Sequence, residues 1–102
     1  MQTRKHRWTR TEIEDIMRCY IEEYVLKQFF RDKQSFIGEM CKKTPDITES
    51  SMRMFCQNVK QLTLETDTCD SSTFSPLKNY SRQHKEVFED LICEYYFGEV
   101  RR

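Results

Sequence analysis

Turn-forming residues are nearly missing from this 102-residue chain, which has two glycines and two prolines. A β sandwich or barrel needs a turn every ~8–12 residues, so this composition excludes that class and favours helices joined by short connections. Charge of one sign is missing too. Seventeen Lys and Arg balance seventeen Asp and Glu, which removes bulk attraction to DNA or anionic lipid and confines any such binding to local patches. No apolar run approaches the ~20 residues of a membrane span, and no signal-peptide core precedes residue 20. The expectation is a cytoplasmic protein with no membrane partner.

Paired cysteine motifs are likewise missing. The five cysteines (Cys19, Cys41, Cys56, Cys69 and Cys93) are an odd number, widely spaced, with no C-x-x-C. A secreted disulfide framework shows an even count in a loop-rich chain. Cys19, Cys41, Cys56 and Cys93 fall within helical patterns, where a thiol serves as a small apolar filler. Catalytic signatures are missing as well: no Gly-rich phosphate loop, no H-E-x-x-H, and only His6 and His84 as imidazoles. The chain is expected to be no enzyme and to need no cofactor or metal.

What is present is aromatic side chain and helical periodicity. Seven Phe, five Tyr and one Trp can fill the modest core of one domain this size, which buries roughly 60–65% of its unfolded surface. Residues 1–7 form a basic arm with Arg4, Lys5 and Arg7. Thr9 and Glu12 then spell a capping box, with Trp8 placed to staple onto Ile13. Ile13, Ile16, Met17, Tyr20, Ile21 and Tyr24 recur at helical spacing, predicting a helix over about 10–28. Phe36, Ile37, Met40 and Cys41 mark a second helix, which Pro45 stops by residue 44. Thr48 caps a third, about 49–63, with Met52, Phe55, Cys56 and Val59 inward and Ile47 stapling to Met52.

Residues 64–78 read as a long polar loop, the most mobile internal segment, pinned by Phe74 and Leu77. A last helix begins near Ser81, buries Phe88, Leu91, Ile92 and Tyr95, and has Gly98 as its C-cap. The predicted fold is all-α: a single domain of about four helices, of which the second and third form a helix-turn-helix-like pair.

In such a pair the second helix enters the major groove. Its outer face carries Ser50, Arg53, Met54, Gln57 and Gln61, flanked by Asn58 and Lys60. Arg, Gln and Asn can pair bidentately with base edges, and Lys60 is placed to touch phosphate. Apart from Glu49 in its first turn, the predicted span has no acid, whereas a merely solvated face usually mixes in more Glu and Asp. The arm residues Arg4, Lys5 and Arg7, with Lys42 and Lys43 of the second helix, would add phosphate contacts. A symmetric homodimer would fit this reading. His84 falls on an apolar stripe, where packing or capping suits it better than base catalysis.

A second reading starts from the acidic first helix. Glu12, Glu14, Asp15, Glu22 and Glu23, extended by Glu65, Asp67 and Asp70, could occupy the cationic groove of a nucleic-acid-processing protein. The chain would then be a phage or mobile-element inhibitor of a restriction or CRISPR effector.

Three stretches resemble the small helical module that precedes the HNH nuclease domain of some bacterial restriction-like proteins, and related short free-standing bacterial and phage proteins. They are Trp8-Thr9-Arg10 with Glu12, Ser50 to Met54 with Asn58, and Pro76-Leu77 with Asn79-Tyr80-Ser81. The opening W-T-x-x-E also resembles a Myb or SANT module. The resemblance implies a DNA-associated helical module; with no HNH segment the chain departs from the nuclease proteins and is expected to lack nuclease activity, and without further spaced tryptophans it departs from a Myb repeat.

Overall fold

The structure, a computed structural model, describes residues 7–29 and 32–97. These form four α-helices: α1 (Arg10–Tyr20), α2 (Lys33–Lys43), α3 (Glu49–Glu65) and α4 (Arg82–Phe97), with no strand among the described residues. The all-α bundle expected from composition is the fold observed. Gly98, expected as the last C-cap, lies outside the described residues.

The capping signals operate as the sequence predicts. Thr9 Oγ1 accepts from the Glu12 backbone N–H at 3.1 Å while Glu12 Oε1 accepts from Thr9 N–H at 3.0 Å, so two orphan donors of the first turn are satisfied reciprocally. Thr48 caps α3 through Ser51 N–H. Asp32 caps α2 through Ser35 N–H, a cap that went unread in the sequence. Trp8 packs against the core and stacks on Phe55 of α3 at 4.4 Å and 23°.

Beyond Tyr20 the first helix widens into a π-helical segment, Ile21–Leu26, where α-helix was expected to about 28. Lys27 N–H bonds Glu22 C=O, five residues back. Widened turns of this kind are rare and often accompany special contacts. Here Ile21, Tyr24 and Val25 are all buried, and the Tyr24 carbonyl accepts from both the N–H and the hydroxyl of Ser71. Gln28 then turns the chain with φ 50°.

The core is one cluster of the predicted stripes. Ile13, Ile16, Met17 and Tyr20 of α1 meet Phe36, Ile37 and Met40 of α2, Met52, Phe55, Cys56 and Val59 of α3, and Phe88 and Leu91 of α4. Ile92 and Tyr95 are partly buried against it. Tyr20, Tyr24, Phe36 and Phe74 form an aromatic nest with ring centroids 5.1–6.1 Å apart, the separation at which edge-to-face pairs add stabilisation beyond area. Cys56 is fully buried and burial pushes its thiol well up, so it is an inert filler. Cys19, Cys41 and Cys93 are partly exposed and Cys69 is exposed.

The chain's shortage of glycine shows at the end of α3, which runs two residues past the expected 63. Thr68 N–H bonds Thr63 C=O and Asp67 N–H bonds Leu64 C=O, the two bonds of a Schellman ending. The left-handed residue this ending requires is Asp67, φ 55°, whose short polar side chain tolerates that conformation better than most.

Residues 68–80 then run back over α3, held by a buried polar cluster. The Asp70 side chain is only 1% exposed. One carboxylate oxygen accepts from Tyr20 OH at 2.8 Å and Thr63 Oγ1 at 3.0 Å, and the other from Ser72 N–H at 2.8 Å. Lys60 Nζ donates to the carbonyls of Asp70 and Ser72 and lies 3.8 Å from the Asp70 carboxylate. Burial and the neighbouring carboxylate hold the Tyr20 phenol protonated, well above its ordinary range, so Tyr20 donates to Asp70 and accepts from Ser72 Oγ, 2.7 Å away. Phe74 is buried as expected, and Leu77 is tied by its N–H to Gln57 C=O. The segment expected to be the most mobile is anchored at Asp70, Ser72, Phe74 and Leu77.

Candidate nucleic-acid interface and an adjoining cleft

The helix pair is present as α2 and α3, joined by residues 44–48. The candidate residues do not all share one surface. Ser50 is exposed, and Arg53, Gln57 and Gln61 are half-buried. Arg53 is fixed: its guanidinium donates to Gln34 Oε1 at 2.9 Å, and Gln34 in turn donates to Glu49 at 2.9 Å. Gln61 donates to Glu65 one turn on. Lys60, expected to touch phosphate, is instead turned into the fold by the loop carbonyls that it caps. Asn58, expected beside the outer face, is 6% exposed and donates to Met54 C=O. Both corrections have one cause. Residues 68–80 cover the two flanks of α3 that a helical wheel leaves open.

The basic residues divide similarly. Arg7 is exposed, while Arg4 and Lys5 lie outside the described residues. Lys42 and Lys43 are exposed but line a groove toward α1 that also holds Glu22, Glu23 and Glu39. Lys43 Nζ lies 3.6 Å from Cys19 Sγ. Their charge is therefore offset locally, away from the outer face of α3. The acidic surface of the second reading is also reduced. Asp70 is buried, and Glu65 accepts from Tyr80 and Gln61 near Lys78, which hold its carboxyl below the usual range. Arg18 pairs bidentately with Glu94 and Arg10 pairs with Asp90, so these ions fasten α1 to α4.

A cleft of about 190 Å³ opens between α3 and the start of α4. Its walls include Trp8, Met54, Phe55, Asn58, Tyr80 and His84. The three stretches that carry the sequence resemblance converge here, although Trp8 and Ser51 are 43 residues apart in the chain and Ser51 and Ser81 are 30 apart. Comparison with protein-family models, with curated proteins and with solved structures gave no match. The site rests on its own geometry.

That geometry is definite. Ser81 begins α4: its Oγ accepts from His84 N–H at 3.2 Å and meets His84 Nδ1 at 2.6 Å. Trp8 and Phe55 pack on the imidazole at 6.1 and 5.2 Å. Asn58 Oδ1, inaccessible to water, has no hydrogen-bond partner among the described residues. Tyr80 donates to Glu65, and that bond raises its phenol to about 12.

Burial lowers the His84 pKa below its ordinary 6.5. The unfolded chain therefore takes up a proton that the folded chain refuses. Folding stability should fall as pH drops below about 6.5 and level off once the folded-state value is passed. Urea midpoints between pH 7.5 and 5 should show this slope in the wild type and a shallower one in His84→Phe. Equal slopes would remove His84 as its source.

Proposed function

We propose that the protein is a non-catalytic, helix-turn-helix-like module that binds duplex DNA through the N-terminal half of α3. The observation that carries this reading is the bridged Arg53. The Gln34 amide holds its guanidinium between the two helices of the pair, near the start of the second helix, where recognition helices address base edges. An arginine held in place loses less side-chain freedom when it pairs with guanine than a free one. Ser50 and Gln57 stand one turn to either side. Arg7, exposed and next in the chain to Trp8, which stacks on Phe55 of α3, is the cation we assign to phosphate.

The reading is narrower than the sequence suggested: Lys60, Asn58, Lys42 and Lys43 leave the interface, and Ser50, Arg53, Gln57 and Arg7 remain. With zero net charge the affinity should be modest and strongly salt-dependent. A gel-shift selection from a random duplex pool at low salt tests it. Arg53→Ala should weaken binding to an enriched site by about 1–3 kcal/mol and relax its sequence preference. Arg7→Ala should weaken all sequences alike. If the wild type enriches no site and binds no duplex, the module does not read DNA, and capture of a nucleic-acid-processing protein by the acidic α1 becomes the reading to pursue.

A further inference from the structure

We propose that Cys19 and Lys43 are the two ends of an oxidant-driven covalent link, a sulfenamide, between α1 and α2. It does not depend on the duplex-reading proposal.

The two side chains come from different helices. Cys19 is next to last in α1 and Lys43 is the last residue of α2. They stand 24 positions apart in the chain, yet Lys43 Nζ donates to Cys19 Sγ at 3.6 Å. Cys19 is partly exposed and lines an open groove of about 510 Å³ together with Phe36, Met40 and Lys43. A cysteine on a helix presents little but its sulfur, and a reagent as small as hydrogen peroxide reaches it from the groove.

Two other thiols show what this pair adds. Cys56 is fully buried, out of reach of an oxidant. The exposed Cys69 accepts from the Gln28 side-chain amide at 3.1 Å. An amide nitrogen shares its electron pair with the carbonyl and is a poor nucleophile. An amine keeps that pair, and Cys19 has an amine beside its sulfur.

The chemistry takes two steps, with hydrogen peroxide as the oxidant. The Cys19 sulfur attacks one peroxide oxygen and the O–O bond breaks. Sulfur gives up two electrons, the second oxygen leaves as water with the thiol proton, and a sulfenic acid remains. Sulfenic acids condense with thiols and with nitrogen. Lys43 releases one proton to solvent, its electron pair forms the N–S bond, and the S–O bond breaks. The departing hydroxide takes a second proton from nitrogen and leaves as water. The flexible lysine stem brings its nitrogen the remaining distance. The link ties the end of α2 to α1 and keeps the sulfur from the irreversible sulfinic acid. Two equivalents of a thiol reverse it, restoring Cys19 and Lys43 and forming one disulfide of the reagent.

The test is peptide mapping after a few equivalents of hydrogen peroxide. Tryptic digestion without reductant should yield residues 19–27 joined to residues 43–53, lighter than the two peptides together by two hydrogens. The joined pair should disappear on treatment with dithiothreitol. Lys43→Gln keeps a polar side chain at an exposed position and removes the amine. In that variant the joined pair should be lost, and capture of the Cys19 sulfenic acid by dimedone should rise severalfold. The proposal is overturned if peroxide carries wild-type Cys19 to a disulfide or a sulfinic acid with no joined pair. It is equally overturned if dimedone labels Cys19 alike in the wild type and in Lys43→Gln.

Discussion

Lys60→Met should destabilise the fold by about 3–5 kcal/mol, the cost of removing one partner from a buried charge pair. Methionine replaces most of the lysine stem. What is lost is an ammonium that donates to two loop carbonyls, Asp70 and Ser72, and compensates the Asp70 carboxylate 3.8 Å away. The variant leaves a carboxylate that is only 1% exposed beside two uncapped carbonyls. Against a total stability of ~5–15 kcal/mol for a native domain, this loss would shift the urea midpoint far to the left. Asp70→Asn should cost less, because its side-chain carbonyl can still accept from Tyr20 or Thr63. In the double variant the two effects should fall well short of additive, since each removes the other's reason for being costly. A Lys60→Met loss under 1 kcal/mol would show the cluster to be hydrated.

Phe74→Ala should cost a similar ~3–5 kcal/mol, the usual range for deleting a buried aromatic ring. Phe74 is 3% exposed and lies within 6.0–6.1 Å of the Tyr20 and Tyr24 rings, with Lys33 Nζ 5.8 Å from its own centroid. Its removal opens one side of the aromatic nest, against Tyr20 and Tyr24, and frees the segment that crosses α3. Tryptic cleavage after the exposed Lys78 should therefore accelerate in Phe74→Ala. Leu77→Ala should do so far less, because Leu77 is half-exposed and is tied by its backbone N–H. Equal cleavage in the two variants would mean that backbone bonds, not the ring, hold the segment.

These two side chains illustrate what a sequence can and cannot disclose. Phe74 was legible because an aromatic residue in a run of Ser, Thr and Asp has little reason to be there unless it is buried. The stripes of α1 to α4 were legible because one apolar face repeats every 3.6 residues, and Thr9 and Thr48 because an N-cap is local chemistry. Lys60 and Asp70 were not. Each is of a type usually found at the surface, and their partnership depends on a turn at Asp67 that redirects the chain along α3. The π-helical segment was hidden because Ile21, Tyr24 and Val25 satisfy an α pattern equally well. The candidate site suffered most from this. A helical wheel shows which residues point away from a helix's own core, but not which of them a later segment will cover, and Asn58 and Lys60 were read as free for that reason. The cleft was legible only as three separate motifs. Their meeting place required the packing of Trp8 on Phe55 and of α4 beside both.

The packing of α1 chiefly on α4 has a bearing on how the protein is made. Arg10 is paired with Asp90, eighty residues later. At a synthesis rate of about 5–20 residues per second, the first helix waits roughly 4–16 s for the last one to be translated. The apolar face of Ile13, Ile16, Met17 and Tyr20 is only partly covered in that interval, by α2 and α3. The Arg18–Glu94 fork is a late latch, closed after every other helix has been translated, and the nascent chain depends on α2 and α3 to shield a half-built core until then.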